Sequence, residues 1–367
     1  MARVIATNHL QRLLSPVPGP LIRASCAWAA WLLLTVAVDF GAGGAFGVLR
    51  TDGARVGLLN DPAGLLQEFI VFPLLVAYFF WAPLALVRAI AELDVAGVIT
   101  VKEEDLRWMQ NELGRRSVRL GLIVVAVLFG VLLYLIYVRS PLAPLLWLGE
   151  PRFALVKIPF WILHTYVAAY LVAWVLVATM LLGRLFADSR PVNVEPLHPD
   201  ECGGLRPLSS YVLALVWFIG LAGAAVVLVE RNYFFARGLA DSPFALGIHA
   251  LALVYVLASL GAFFAPLLAP HRRMGAEKRQ ALAEITARFQ QIERDTLRQA
   301  HTGDPAQLGQ AVSQLDSVRA IYRVVYEFPV WPFDTRVLRG FAIAAIGQPV
   351  AAFALDAAKD QLLTLVR

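Results

Sequence analysis

The sequence predicts an all-α, polytopic membrane protein with six transmembrane helices, a cytoplasmic helical hairpin and a C-terminal interfacial or re-entrant apolar helix. Composition is the first reason. Of 367 residues, 59% are hydrophobic and 16% charged, with a mean hydropathy of +0.65, whereas soluble domains average about 45–50% apolar and about 25% charged. Distribution is the second: the apolar residues gather into long uncharged blocks, and the basic residues behind the net charge of +5 flank those blocks. A soluble enzyme and a disordered chain are both excluded, and the flanking basic residues leave no nucleic-acid surface to propose.

A bilayer core about 30 Å thick needs ~20 helical residues. Six stretches between charges are long enough. They run from Arg23 to Arg50, Glu68 to Arg88, Arg119 to Arg139, Lys157 to Arg184, Arg206 to Glu230 and Asp241 to His271. Taking the charges as edges places spans at about 27–49, 69–87, 120–138, 158–183, 208–229 and 243–269, within a transmembrane domain over 1–270. In lipid each backbone polar group needs an internal partner, so these segments are read as helices. Counted on alternate sides of six spans, Lys and Arg number 25 against 7, and 12 against 7 without the C-terminal tail. The bias puts both termini in the cytoplasm.

The loop after the second span opens with Val101-Lys102-Glu103-Glu104-Asp105. Its acids suit a helix N-terminus, and Leu106, Met109 and Leu113 share one face of the helix that follows. Beyond the sixth span, residues 271–325 carry Leu282, Ile285, Phe289 and Ile292, then Leu315, Val318, Tyr322 and Val325, each at 3-4-3 spacing, across a His301-Thr302-Gly303-Asp304-Pro305 turn. This predicts a helical hairpin. In 326–367, the string Tyr326 to Asp334 holds four aromatics and two prolines and reads as a hinge at the lipid headgroups, with Asp334 capping the next helix. The stretch from Gly340 to Leu355 reaches only about 24 Å as a helix, short for a span.

Three ionisable residues fall inside the expected spans: Asp39, His164 and His249. A charge in hydrocarbon is costly and marks protein-lined or hydrated paths, so the three are candidates for a proton relay or cation path in the outer half of the bilayer. The alternative is structural: each histidine donates to a carbonyl, and Asp39 marks a break of the first helix at Gly41-Ala42-Gly43-Gly44. A second candidate is the cytoplasmic loop His198-Pro199-Asp200-Glu201-Cys202-Gly203-Gly204-Leu205. Its residue types are those of a turn, with Asp200 accepting amide hydrogen bonds and the glycines at positive φ. As a binding loop for a ligand or partner it would act through His198, Asp200, Glu201, Cys202, Gly203 and Gly204. No second His/Cys cluster completes a metal site, and the chain offers no P-loop, Gly-x-Ser-x-Gly elbow or His-Glu-x-x-His helix. Neither a catalytic residue nor a cofactor is therefore expected.

Three strings resemble a group of uncharacterised bacterial multi-spanning inner-membrane proteins. They are Leu59-Asn60-Asp61-Pro62 leading into Phe69-Ile70-Val71-Phe72-Pro73-Leu74-Leu75, the His198 to Leu205 loop, and Phe328 to Asp334. The resemblance implies a bacterial inner membrane and one co-folded unit, and it supplies no catalytic residues. Two functions fit these features: a channel or transporter for a small ion or solute, and a non-catalytic sensor or assembly subunit acting through its loops and tail. The expected partners are the bilayer, a second copy of the chain, and a cytoplasmic protein. A hydrated cavity joining Asp39 to the histidines would favour transport, and a dry, packed outer half the sensor.

Overall fold

A computed structural model describes residues 20–53, 55–139, 143–187, 189–194, 198, 200, 202–215, 223, 253, 257, 259–302, 305–333 and 335–343. Among the described residues every regular element is helical. Helix α1 spans Pro20–Ala45, opening on a proline, which lacks the N–H that a first turn leaves unpaired. It runs unbroken through Asp39 and Gly41–Gly44. Gly47, at φ 67°, then reverses the chain, and the Val48 amide closes on the Gly43 carbonyl at 2.9 Å.

Pro62–Leu66, Gln67–Val71 and Phe72–Val95 follow one another as one helix, α2, whose middle piece is a π-helical turn. The amphipathic α3, Glu103–Gly114, starts where the Lys102 amide donates to Asp105 Oδ2 at 3.1 Å. Leu106 and Met109 are buried on its inner face. Then come α4, Arg116–Arg139, and α5, Pro151–Leu185. The later elements are α6, Leu268–Thr302, α7, Pro305–Glu327, and α8, Thr335–Ala342.

Among the described residues, three helices are long and apolar enough to cross a membrane: Leu21–Ala45, Gly64–Val95 and Pro151–Leu185. Their bounds differ from the charge-to-charge estimates. The first helix ends at Ala45 rather than 49, and the second and fourth stretches begin at Pro62 and Pro151, upstream of Glu68 and Lys157. The reason is that neither charge faces water. Most of 208–229 and 243–269, including His249, lies outside the described residues, as do Asp334 and residues 344–367.

α1 packs on α2, α2 on α5, and α5 on α4, where a Cβ at Gly130 would stand 2.5 Å from Ile162 Cγ1, so only glycine admits the contact. Two apolar clusters close the ends of this bundle. At one end Val48, Leu58, Trp147, Leu148, Phe153, Ala154 and Trp161 pack together. At the other, Leu86, Ile90 and Leu93 of α2 and Leu181, Leu182 and Leu185 of α5 meet Val98, Val194, Leu205, Phe263, Phe328 and Phe333.

The aromatic string, read from sequence as a headgroup hinge, contributes to the second cluster. Phe328 and Phe333 are buried in protein. Lys278 donates to the carbonyls of Tyr326 and Phe328, Ser209 to that of Pro332, and the His271 ring stacks on Trp331. α6 and α7 pair as the predicted hairpin, with Leu282, Ile285, Phe289, Leu315 and Val318 half-buried along the seam.

Candidate functional site

The site grows from three helix ends. Asp39 lies six residues before the end of α1, Glu68 six after the start of α2 and Lys157 six after the start of α5. Each is therefore ~9 Å from the helix terminus that faces the Val48–Trp147 cluster. Antiparallel packing brings the three to one level. Lys157 Nζ donates to Asp39 Oδ1 and to Glu68 Oε2, both at 2.8 Å. The Asp39 and Lys157 side chains are fully shielded from solvent, and Glu68 is 3% exposed. Phe160, one turn further along α5, presents its ring 5.0 Å from the ammonium.

Glu68 belongs to the π-helical turn Gln67–Val71, the one place where α2 departs from α geometry. Such a turn shifts a side chain's direction around the helix and recurs at functional sites. With Lys157 protonated and both carboxylates ionised the cluster carries a net charge of −1, and one bound proton makes it neutral.

A line of polar groups leads from the cluster toward the other end of the bundle. Thr35 is one turn from Asp39 on α1, and Trp31 is one turn further. Trp31 Nε1 donates to His164 Nε2 at 3.0 Å. His164, two turns along α5 from Lys157, is buried and stacks face to face on Phe72 with ring centroids 3.7 Å apart. Asp39 Oδ2, Thr35 Oγ1 and His164 Nδ1 are buried without a hydrogen-bond partner. Native structures leave few buried polar atoms unsatisfied, so three on one seam call for an explanation.

Of the expected trio of Asp39, His164 and His249, the first two lie on one α1–α5 seam with no hydrogen bond between them. Asp39 accepts from Lys157, which also donates to Glu68, His164 accepts from Trp31, and His249 is outside the described residues. His164 is also deeper than the charge-to-charge estimate, ~20 Å from the α5 N-terminus, because α5 begins at Pro151. Asp39 does not break its helix.

At the end nearest the cluster two connections meet. Val56 N donates to Leu145 O at 3.0 Å, Trp147 Nε1 to Asp61 Oδ2 at 2.8 Å, and Arg55 pairs with Glu150 at 2.9 Å. A Cβ on Gly57 would stand 2.3 Å from the Arg50 carbonyl carbon, and one on Gly149 1.8 Å from the Ala143 oxygen. The two connections lie backbone against backbone. This cap lies directly over the charged cluster.

In the second candidate loop, Asp200 Oδ1 accepts the amides of Cys202 and Gly204 at 3.0 and 2.9 Å, and Oδ2 accepts that of Arg206 at 3.2 Å. His198 Nδ1 lies 2.7 Å from Oδ1. Partial burial opposes ionisation of Asp200, but the three amides outweigh it and hold the carboxyl below the usual carboxylate range. Gly203 and Gly204 adopt φ of 68° and 87°. Cβ atoms there would stand 2.9 Å from Phe328 Cζ and 2.6 Å from Val98 Cγ2. Cys202 is buried, and Glu201 lies outside the described residues. The two glycines bring the loop close against Phe328 and Val98. Beside the loop, Arg190 forks onto both oxygens of the buried Asp105 at 2.7 and 2.8 Å.

Among the described residues no group of three or more His, Cys, Asp or Glu is placed to hold a metal ion. Within the cluster, the Lys157 ammonium fills the position between the carboxylates. Compared with protein-family models, with curated proteins and with solved structures, the chain matches none of them.

Proposed function

We propose that the chain is a non-enzymatic, multi-pass membrane protein of transporter or channel type that moves a small ion or solute, with Asp39, Lys157 and Glu68 forming its proton-binding centre. The observation that carries this reading is a buried set of three ionisable groups, one proton short of neutrality, at a π-helical turn. Ionisable residues at membrane depth are expensive, and their usual role is in ion or proton pathways. In this reading six spans cross a bacterial inner membrane with both termini in the cytoplasm. Three features support that orientation. The cluster needs Ala45, Pro62 and Pro151 on one side. Burial of Lys157 removes one charge from the outer loops, so the bias becomes 25 against 6. The resemblance to uncharacterised bacterial inner-membrane proteins points the same way.

The test is flux into liposomes carrying the purified protein, under a pH gradient and with a panel of ions. Wild-type protein should move protons, alone or with a second species. Asp39→Asn should abolish that movement, and unchanged flux in this variant would overturn the reading.

A second reading, a sensor or assembly subunit, is favoured by the packed cap and by the hairpin, which leaves Leu297, Val312, Ile321 and Val324 exposed. A cytoplasmic protein or a second copy of the chain would cover them. Absence of any flux, together with co-purification of a partner lost on Ile321→Glu, would support this reading instead.

A further inference from the structure

Resting on the cluster as a proton-binding centre, we infer that the same centre takes an alkali-metal cation in exchange for its proton, held by Asp39 Oδ2 and Thr35 Oγ1 of α1 with a backbone carbonyl of α2 at Glu68–Phe69. Charge is the first reason. Lys157 Nζ engages Asp39 Oδ1 and Glu68 Oε2, and with both carboxylates ionised the three groups sum to −1. One positive charge balances them, arriving as a proton or as a monovalent ion. Asp39 Oδ2, the oxygen that Lys157 does not take, is buried without a hydrogen-bond partner.

Thr35 adds a second oxygen. A threonine inside a helix commonly turns its hydroxyl back to the carbonyl four residues earlier, as Thr179 does to Val175 at 2.8 Å, Thr286 to Leu282 at 2.7 Å and Thr296 to Ile292 at 2.7 Å. Thr35 is wholly buried, yet its hydroxyl makes neither that bond nor another. It stands four residues from Trp31 and four from Asp39, both of which reach α5, so the three share the inner face of α1. The third oxygen comes from α2. There the Phe72 amide reaches back five residues to the Gln67 carbonyl, and the next residue, the buried Pro73, has no N–H to continue the ladder. α2 is therefore one backbone donor short at the carbonyls of Glu68 and Phe69. α1 runs close by, with the Phe40 and Phe69 ring centroids 6.2 Å apart.

Carboxylate, hydroxyl and carbonyl oxygens are the ligands of hard cations. A divalent ion leaves the cluster at +1 in an apolar setting, and a monovalent one leaves it neutral. His164 stands outside the set: its Nε2 accepts from Trp31, so the neutral ring carries its proton on Nδ1 and offers an ion no lone pair. The charged and titratable groups that face the site are Asp39 from α1, Glu68 from α2, and Lys157 and His164 from α5. One cation enters as one proton leaves, and the net charge of the cluster stays at zero. Apolar clusters pack at both ends of the bundle, so the exchange is an equilibrium property of a buried centre, independent of the side from which the ion arrives.

The experiment uses full-length protein in lipid nanodiscs. Infrared spectroscopy follows the protonated-carboxyl C=O band through a pH titration, in the chloride salts of lithium, sodium, potassium and choline at equal ionic strength. The expected result is a band, missing in Asp39→Asn, whose midpoint lies at lower pH in at least one alkali chloride than in choline chloride. Competition of one ion for one proton sets the slope, about one pH unit for each tenfold rise in a saturating cation. Thr35→Val should weaken the hold on the cation ~10-fold or more, shrinking the shift measured against its own midpoint in choline chloride, and Thr35→Ser should restore the shift. The same midpoint in all four salts, or an undiminished shift in Thr35→Val, would overturn the cation site while leaving the proton-binding centre in place. A band unaffected by Asp39→Asn would remove the centre itself, and the cation site with it.

Discussion

Replacing Lys157 with methionine keeps the length and volume of the side chain and removes its charge. Two charge-assisted hydrogen bonds of 2.8 Å disappear, to Asp39 and to Glu68. Each such bond contributes about 1.5–3 kcal/mol, and breaking a buried pair by removing one partner typically costs about 3–5 kcal/mol because the remaining charge is stranded. Two carboxyls are stranded here, so Lys157→Met should lose about 3–5 kcal/mol, partly relieved if the carboxyls take up protons. The matching triple variant, Lys157→Met with Asp39→Leu and Glu68→Leu, leaves no stranded group. It should lie within about 2 kcal/mol of wild type or above it. Reversible unfolding in mixed micelles, read by tryptophan fluorescence, measures both. A loss below about 1 kcal/mol in Lys157→Met, or a triple variant less stable than the single one, would refute a dry, paired cluster.

Gly149→Ala and Gly57→Ala drive a methyl into backbone at 1.8 and 2.3 Å and should each destabilise the cap by about 1–3 kcal/mol, seen as faster amide exchange across 143–150 and 55–61. Asp200→Asn removes the charge and leaves one acceptor oxygen where two serve three amides, so the 198–206 turn should become more open to proteolysis, at a cost of about 1–2 kcal/mol. Asp105 is buried, which opposes its ionisation. The hydrogen bonds from Arg190 and the Lys102 amide and the charges of Arg190 and Arg184 outweigh this, and its carboxyl is held below the ordinary value of 3.8. A carboxyl lowered on folding stabilises the fold above its unfolded value and loses that contribution as pH falls through the lowered one. The α3 contact should therefore hold at neutral pH and loosen only below about pH 4. Asp105→Asn should remove that acid-dependent step, as read by exchange at the α3 amides.

The helical membrane class was legible because composition and block length report directly on what solvent a segment can face. Asp39 was legible for the same reason, as one acid in an otherwise uncharged stretch. Glu68 and Lys157 were not. A charge near the edge of an apolar block looks the same whether it meets water or a partner, and only the packing of α1, α2 and α5 shows that these two meet each other. A signal was nonetheless present: Asp61-Pro62 and Glu150-Pro151 are helix starts, an acid followed by a first-turn proline. In each helix a charge that ends buried, Glu68 or Lys157, stands six residues inside the start, and Asp39 stands the same distance from Ala45. The turn around Asp200 was readable from its residue types, since Asp and Gly-Gly dictate local backbone geometry. That Phe328 presses on Gly203 was not, because it joins positions 125 residues apart.

A proton count tests the central claim most directly. In lipid nanodiscs, wild-type protein and Asp39→Asn are taken through the same acid step, from about pH 9 to about pH 4, with uptake measured potentiometrically. Without Asp39 the Lys157–Glu68 pair is already neutral and needs no further proton to balance it. Wild type should therefore bind one proton more per chain than the variant. Equal uptake would contradict a shared proton in the cluster and, with it, the account of the protein as a proton-linked membrane device.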